Sequence, residues 1–293
     1  MRKLLPIIVI AAAIGAGAYV GYILGVGKAV VTGPTLWVTF LDADRGNGIV
    51  VRMPEGAFVV IDPGPASSAG ELVDYLRGAG ARSVSVVVSN PSADRGGALR
   101  ALVESVGVSK VYRGELKGRS RAWRRSLESV RNCKIPEVVV RSGSVIGLSR
   151  STRLEILSPP KGMLEDTGRD WDNNSLVTRI SYGSKHFLFM SDTRIAAEAH
   201  LIQSETDLVS DVLSVARNGR SGSTSLEWLS VVRPEICVVS VGRGGRRPGK
   251  AVLNRIDTKN TGAAVYLTDK DGTIKMVTDG HSIVVKTEGA GRG

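Results

Sequence analysis

Apolar residues recur along this chain in two spacings. Compact runs at Leu36 to Leu41, Ile49 to Arg52, Phe58 to Asp62 and Ser83 to Val88 are bounded by glycine, proline and polar residues, and predict strands. Elsewhere the spacing lengthens to three and four. Leu72, Tyr75 and Leu76 share one face of a predicted helix over 71–80, which Gly78 or Gly80 would end. Residues 98–106 repeat that pattern directly after the strand of Ser83 to Val88. The second half predicts strands at 154–157, 175–181, 185–190, 211–215, 236–241, 264–268 and 274–278. Helices are predicted between them at 195–203, 225–231 and 250–256. Strands alternating with helices in this way predict an α/β layered fold.

The first 28 residues follow neither spacing. Leu4 to Gly27 holds no charged residue and follows Arg2-Lys3. At about 1.5 Å per residue it reaches roughly 36 Å as a helix, enough to cross a hydrocarbon core of about 30 Å. We expect an uncleaved anchor with Arg2 and Lys3 in the cytoplasm, which places the following domain outside a single-pass cell membrane protein. The rival is a cleaved signal peptide, with Ala16-Gly17-Ala18 as the small-residue site. Ala13, Gly17, Gly21 and Gly25 fall on one face of such a helix and suit a homodimer, although glycine is common in membrane helices anyway. The expected organisation is an anchor at 1–28, a linker at 29–35, one domain at 36–283 and a disordered Gly-rich tail at 284–293.

Charge changes the picture in one place. The chain carries a formal +11, and Lys110 to Arg153 alone holds twelve basic and three acidic residues, a net +9. Within it Trp123, Leu127 and Val130 recur at helical spacing, leaving Arg121, Arg124, Arg125 and Arg131 on the other side. Such a face is either simply solvated or binds a polyanion, nucleic acid first and anionic lipid headgroups second. Of the two cysteines, Cys237 lies in an apolar run and Cys133 in a polar loop, so independent thiols are expected rather than a disulfide. No serine sits in a G-x-S-x-G elbow, no Walker-type lysine motif occurs, and Gly242-Arg243-Gly244-Gly245 lacks a dinucleotide-binding βα context.

An ordered set of short motifs carries the rest. Phe40-Leu41-Asp42-Ala43-Asp44-Arg45-Gly46-Asn47-Gly48, Ile61-Asp62-Pro63-Gly64, Ser89 to Gly97, Asn173 to Val177, the strand Phe187 to Asp192, Val215 to Ser221, Val239 to Arg243 and Arg247-Pro248 follow one another in that order. Together they resemble the metallo-β-lactamase-fold domain of the ComEC-type DNA-uptake competence proteins, over residues 36–280. The resemblance implies a four-layer αββα sandwich. It also implies a cleft that in the family holds catalytic metals, with relatives acting on nucleic acid.

The departures from the family pattern are systematic. Its ligand histidines are replaced by Asn90, by Arg95, by Arg217 or Asn218, and by Arg247. Ser92 stands for an aspartate, and only Asp94 and Asp192 survive. His186, His200 and His281 lie off the motifs. Zinc needs imidazole, thiolate or carboxylate ligands in near-tetrahedral array, so no metal, no cofactor and no catalytic residue is expected. By resemblance Arg45, Arg95, Arg217 and Arg247, with Arg220 and Arg246, would converge on the old metal cleft. They would either neutralise Asp94 and Asp192 in place of the lost dications or bind phosphate. The expected protein is a catalytically degenerate binder of nucleic acid or another phosphorylated polyanion. The alternatives are a residual metal-dependent hydrolase and a protein-binding scaffold.

Overall fold

The structure is a computed structural model that describes residues 31–43, 48–118, 120–204, 206–242, 247–257 and 261–289. The expected anchor, with Gly17, Gly21 and Gly25, lies outside the described residues. So do Arg45, Arg246 and residues 290–293. No helix among the described residues is long and apolar enough to cross a membrane.

Strands β1 (Leu36–Phe40), β2 (Ile49–Arg52), β3 (Phe58–Ile61), β4 (Val84–Val88), β5 (Val108–Arg113) and β6 (Glu137–Val139) build one half. With β14 (Ile274–Thr278) and β15 (Ile283–Thr287) they form an eight-stranded sheet ordered β15-β14-β1-β2-β3-β4-β5-β6. The other half comprises β7 (Val145–Gly147), β8 (Thr152–Ser158), β9 (Val177–Tyr182), β10 (Lys185–Phe189), β11 (Val212–Ser214), β12 (Ile236–Val239) and β13 (Ala264–Leu267). These form a seven-stranded sheet ordered β13-β12-β11-β10-β9-β8-β7. Both sheets are mixed. Strands β3 to β6 run parallel to one another, as do β10 to β13, while the rest pair antiparallel.

Three apolar clusters define four layers. Leu36, Val38 and Phe40 of β1 meet Ile180, Phe187 and Phe189 of the other sheet in the central core, where the rings of Phe40 and Phe189 lie 6.3 Å apart. The outer face of the first sheet is covered by α1 (Ala69–Gly78), α3 (Leu99–Ser105) and α4 (Arg121–Asn132), through Leu72, Leu76, Leu99, Leu102, Trp123 and Val130. The second sheet is covered by α6 (Ile195–Gln203), α7 (Leu226–Val232) and α8 (Lys250–Ile256), through Leu201, Trp228, Leu229, Val232, Val252 and Ile256. Because β3 and β4 are covered on both faces, β3 is a continuous apolar run and β4 is interrupted only at Ser85, in place of strict alternation. Ser120 and Ser225 cap α4 and α7, their hydroxyls accepting from the amides of Trp123 and Trp228.

Two regions depart from the sequence reading. Residues 284–287, expected in the tail, belong to β15, where Ile283 and Val285 pack against the central core. Strands β5, β6 and β7 were not anticipated, because their half-exposed residues break the apolar runs and read as part of the basic region. The two thiols are independent as expected, with Cys133 exposed and Cys237 buried. Burial alone pushes the Cys237 thiol up to about 12.

Candidate functional site

Loops leaving the carboxyl ends of β3, β4, β10 and β11 meet at one edge of the sandwich. They bring Asp62, residues 89–95, Ser191-Asp192 and residues 216–220 together. The cleft between them has a volume of about 240 Å³ and is lined by Asn90, Ser92, Asp94, Arg95, Trp171, Asp172, Asp192, Arg217, Asn218 and Arg220.

The floor is a buried ion cluster. Arg95, on the short helix α2 (Ala93–Gly96), is 6% exposed. Its Nη1 donates to Asp62 Oδ2 at 3.0 Å and its Nη2 to Asp192 Oδ1 at 2.7 Å, while Nε reaches Asp192 Oδ2 at 3.4 Å. Nη2 also donates to Asn218 Oδ1 at 3.3 Å. One planar fork thus ties both oxygens of Asp192 to Asp62, the geometry in which arginine binds carboxylates best. Asp62 is further held by the Ser89 amide at 2.8 Å and the Ser89 hydroxyl at 2.5 Å. Burial pushes the Asp62 carboxyl up, against the pull of Arg95 and Ser89. Burial would lower Arg95, but Asp192 and then Asp62 more than reverse it and raise its pKa.

Local backbone geometry serves this arrangement. Asp62, Ser191, Arg217 and Asn218 all have φ between 51° and 55°, a left-handed conformation costing about 1–3 kcal/mol for such residues. It is held in place by backbone bonds: Asp62 N donates to Val87 O at 2.8 Å and Arg217 N to Ser191 O at 2.7 Å. Gly96 lets α2 lie flat against α4. A Cβ there would meet the Trp123 ring at 2.6 Å and 2.8 Å, so no larger residue fits beside Arg95.

Above the floor sits a group of further arginines. Arg194 donates to Asp172 Oδ2 at 2.7 Å, and Arg217 donates through Nη1 to the Ser221 carbonyl. Burial holds the Arg217 guanidinium below its usual value, aided by Arg194 and, more weakly, by Arg220. Three buried polar atoms of cleft residues have no hydrogen-bond partner: Asn90 Oδ1, Ser92 Oγ and Arg220 Nε.

No protein-family model matches this chain, and no curated protein matches its sequence. Solved structures do. Igni18, a metallo hydrolase from the archaeon Ignicoccus hospitalis, aligns with a TM-score of 0.52 and 16% identity over 82% of this chain and 98% of its own. YhfI from Bacillus subtilis, a metallo-β-lactamase fold protein, gives 0.53 and 12% over 82% and 99%. The long form RNase Z from yeast gives 0.55 and 7% over 88% of this chain and 50% of its own. The chain has the metallo-β-lactamase fold. At these identities the likeness concerns the fold alone.

The metallo-β-lactamase fold accounts for where the motif residues fall. Asn90, Ser92, Asp94, Arg95, Asp192, Arg217, Asn218 and Arg220 share the cleft. Arg247 is exposed and does not line it, because Pro248 turns against Gly219 and leaves Arg247 outside. Arg121, Arg124 and Arg125 lie on the exposed face of α4 and do not line the cleft, while Trp123 is buried in the core. Arg95 pairs with Asp192, as expected of the arginines, and also with Asp62, which the sequence did not single out as its partner; the adjacent Asp94 is exposed. Sequence reasoning missed Arg194, Asp172 and Trp171. The signal was their adjacency to the motifs, since Arg194 follows Asp192 by two positions and Trp171-Asp172 precede Asn173.

A dinuclear metal centre does not fit these residues. Among the described residues no three His, Cys, Asp or Glu side chains gather as a ligand set. Asp192 is engaged by the Arg95 fork, and Asn90 Nδ2 is committed to Ser175 Oγ at 2.9 Å. A dication would face a guanidinium held between the two carboxylates, and at about 4 Å and an effective dielectric near 20 a double and a single positive charge repel by about 8 kcal/mol.

Proposed function

We propose that this chain is a membrane-anchored, catalytically degenerate relative of the ComEC-type metallo-β-lactamase domains that binds nucleic acid or another phosphorylated polyanion. The observation that carries the reading is the Arg95 fork. It pairs with Asp62 and Asp192 without a metal, so that Arg217 and Arg220 are the other cations lining the cleft among the described residues. A second cationic surface is the α4 face with Arg121, Arg124 and Arg125. Localised Lys and Arg bind a polyanion by releasing its counterions, independently of sequence. The anchor is the apolar segment from Leu4 to Gly27, which would hold both surfaces close to a bilayer.

The test is the affinity of the purified chain for fluorescent single-stranded DNA over a salt series. A log–log slope steeper than about −2 is expected, since each phosphate contributes about −0.7. Arg121→Gln with Arg125→Gln should flatten it. Absence of binding at low salt would remove the polyanion reading and leave a protein-binding scaffold as the account of this fold.

A further inference from the structure

A second cavity lies between α1 and the outer face of β1 and β2, and shares no lining residue with the cleft. Its volume of about 360 Å³ falls within the roughly 300–1,000 Å³ of ordinary ligand pockets. Leu36, Val38 and Phe40 of β1 point into the central core, so Trp37 and Thr39 point outward. Strand register then sets Trp37, Arg52 and Phe58 side by side in one row across β1, β2 and β3. Val50, 2% exposed, floors the groove together with Phe58 at 7%. The facing wall is the C-terminal half of α1, with Asp74, Tyr75 and Gly78. Gly78 leaves that wall open, since a Cβ added there would meet nothing within 4 Å.

The accessible charges of this groove form a separated pair. The Arg52 guanidinium lies over the Phe58 ring, 5.9 Å from its centroid, and meets no carboxylate among the described residues. Asp74 has no cationic partner there either, and the two do not pair with each other although both line the groove and both are exposed. Lys275, the remaining charged residue of the lining, is held by Glu288. A ligand with one phosphate and one ammonium matches Arg52 and Asp74, and an apolar chain matches Trp37, Val50 and Phe58.

The place of the groove in the fold says where such a ligand is met. Phe40, Ile49 and Ile61 form the row at the cleft end of the sheet, whereas Trp37, Arg52 and Phe58 lie at the other end, where β1 starts. The incoming chain is pinned at that end. Thr32 N donates to Asp279 Oδ2 at 3.2 Å, and the Tyr182 hydroxyl donates to the Pro34 carbonyl at 2.8 Å. Gly27 and Val31 are four positions apart, a span of at most about 14 Å. Tryptophan and tyrosine, as at Trp37 and Tyr75, are enriched where protein meets lipid headgroups.

Resting on the reading of Leu4 to Gly27 as a membrane anchor, we infer that this groove seats a zwitterionic phospholipid of the bilayer that holds the chain. The phosphate accepts from Arg52, the ammonium pairs with Asp74, and the start of an acyl chain lies along Trp37, Val50 and Phe58.

The experiment places the purified 293-residue chain in vesicles of equimolar phosphatidylcholine and phosphatidylglycerol, with bromine on the acyl chains of one lipid or the other. Bromine quenches indole fluorescence on contact. Of the four tryptophans, Trp123 and Trp228 are buried and Trp171 lines the cleft, so Trp37 is the reporter. Quenching should be about two- to fivefold stronger with bromine on phosphatidylcholine than on phosphatidylglycerol. Trp37→Phe should remove it. Gly78→Leu fills the groove without a clash at Cβ and should abolish it, and Asp74→Asn, on the exposed side of α1, should make the two labels equal. Vesicle-bound protein whose Trp37 is not quenched would overturn the inference and leave the anchor standing. Quenching that survives Gly78→Leu, or that is as strong from phosphatidylglycerol in the wild type, would also overturn it. Protein that does not float with the vesicles would remove the anchor, and the inference with it.

Discussion

Replacing Arg95 with methionine tests the claim that a guanidinium does the electrostatic work of a metal centre. The side chain is 8% exposed and contacts Asp62 at 4% and Asp192 at 29%, so its loss strands Asp62 far more than Asp192. Breaking a buried ion pair by removing one partner costs about 3–5 kcal/mol. For a domain of this size each kcal/mol lowers Tm by about 2–4 °C, giving a drop of roughly 6–20 °C at neutral pH. The deficit should depend on pH with a definite sign. Burial already raises Asp62, and without Arg95 nothing but Ser89 opposes it. A carboxyl whose folded pKa lies above its unfolded value contributes stability below the unfolded pKa and loses it as pH rises through the folded one. The variant should therefore approach wild type as pH falls. Asp62→Asn in the same background should recover much of the loss at neutral pH, because the charge is gone while the Ser89 amide keeps an acceptor. Chemical denaturation of the variants across pH 4–8 is the assay. If Arg95→Met stays within about 1 kcal/mol of wild type at neutral pH, Asp62 does not depend on a fixed cation, and the metal-replacement argument fails.

Three further outcomes are expected. Gly96→Ala should cost about 1–3 kcal/mol by overpacking against Trp123, and should be rescued in part by Trp123→Leu; equal stability of Gly96→Ala and wild type in denaturant would refute the contact. His186 is lowered by burial and by Arg179, so stability should fall as pH drops below about 6.5, and His186→Gln should flatten that acid limb in thermal melts. Incubation with EDTA followed by dialysis should leave Tm unchanged, because the floor of the cleft is held by Arg95; a shift of several degrees would reveal a metal that the side chains do not account for.

The layers of this fold were legible in the sequence because β1, β3 and β4 are covered on both sides and are written almost wholly in apolar residues, with Thr39 and Ser85 the single interruptions. Helices α6 and α8 and strand β14 fall on the predicted residues for the same reason: burial imposes a period. Edge strands β6, β7 and β15 obey no such constraint: exposed valines hid β6 and β7, and half-buried residues beside the Gly-rich end hid β15. At the site, the motif order located Arg95 and Asp192, but the partner choice was not readable. Asp94 lies next to Arg95 in sequence and Asp62 is thirty-three residues away, yet helix geometry turns successive side chains to different sides, so the distant residue is the one that meets the guanidinium.

The Arg95 fork also adds a charged link between the two halves of the molecule, beside the Leu176 amide that donates to the Ser89 carbonyl. Asp62 hangs from the first sheet and Asp192 from the second, so one side chain clamps the two halves at the floor of the cleft. A metal clamp must be acquired, can be stripped, and is open to substitution by whichever ion competes best for its ligands. A clamp encoded in the chain is present in every copy at a stoichiometry of one. The floor of this cleft thus carries a fixed charge, whatever ions its surroundings supply.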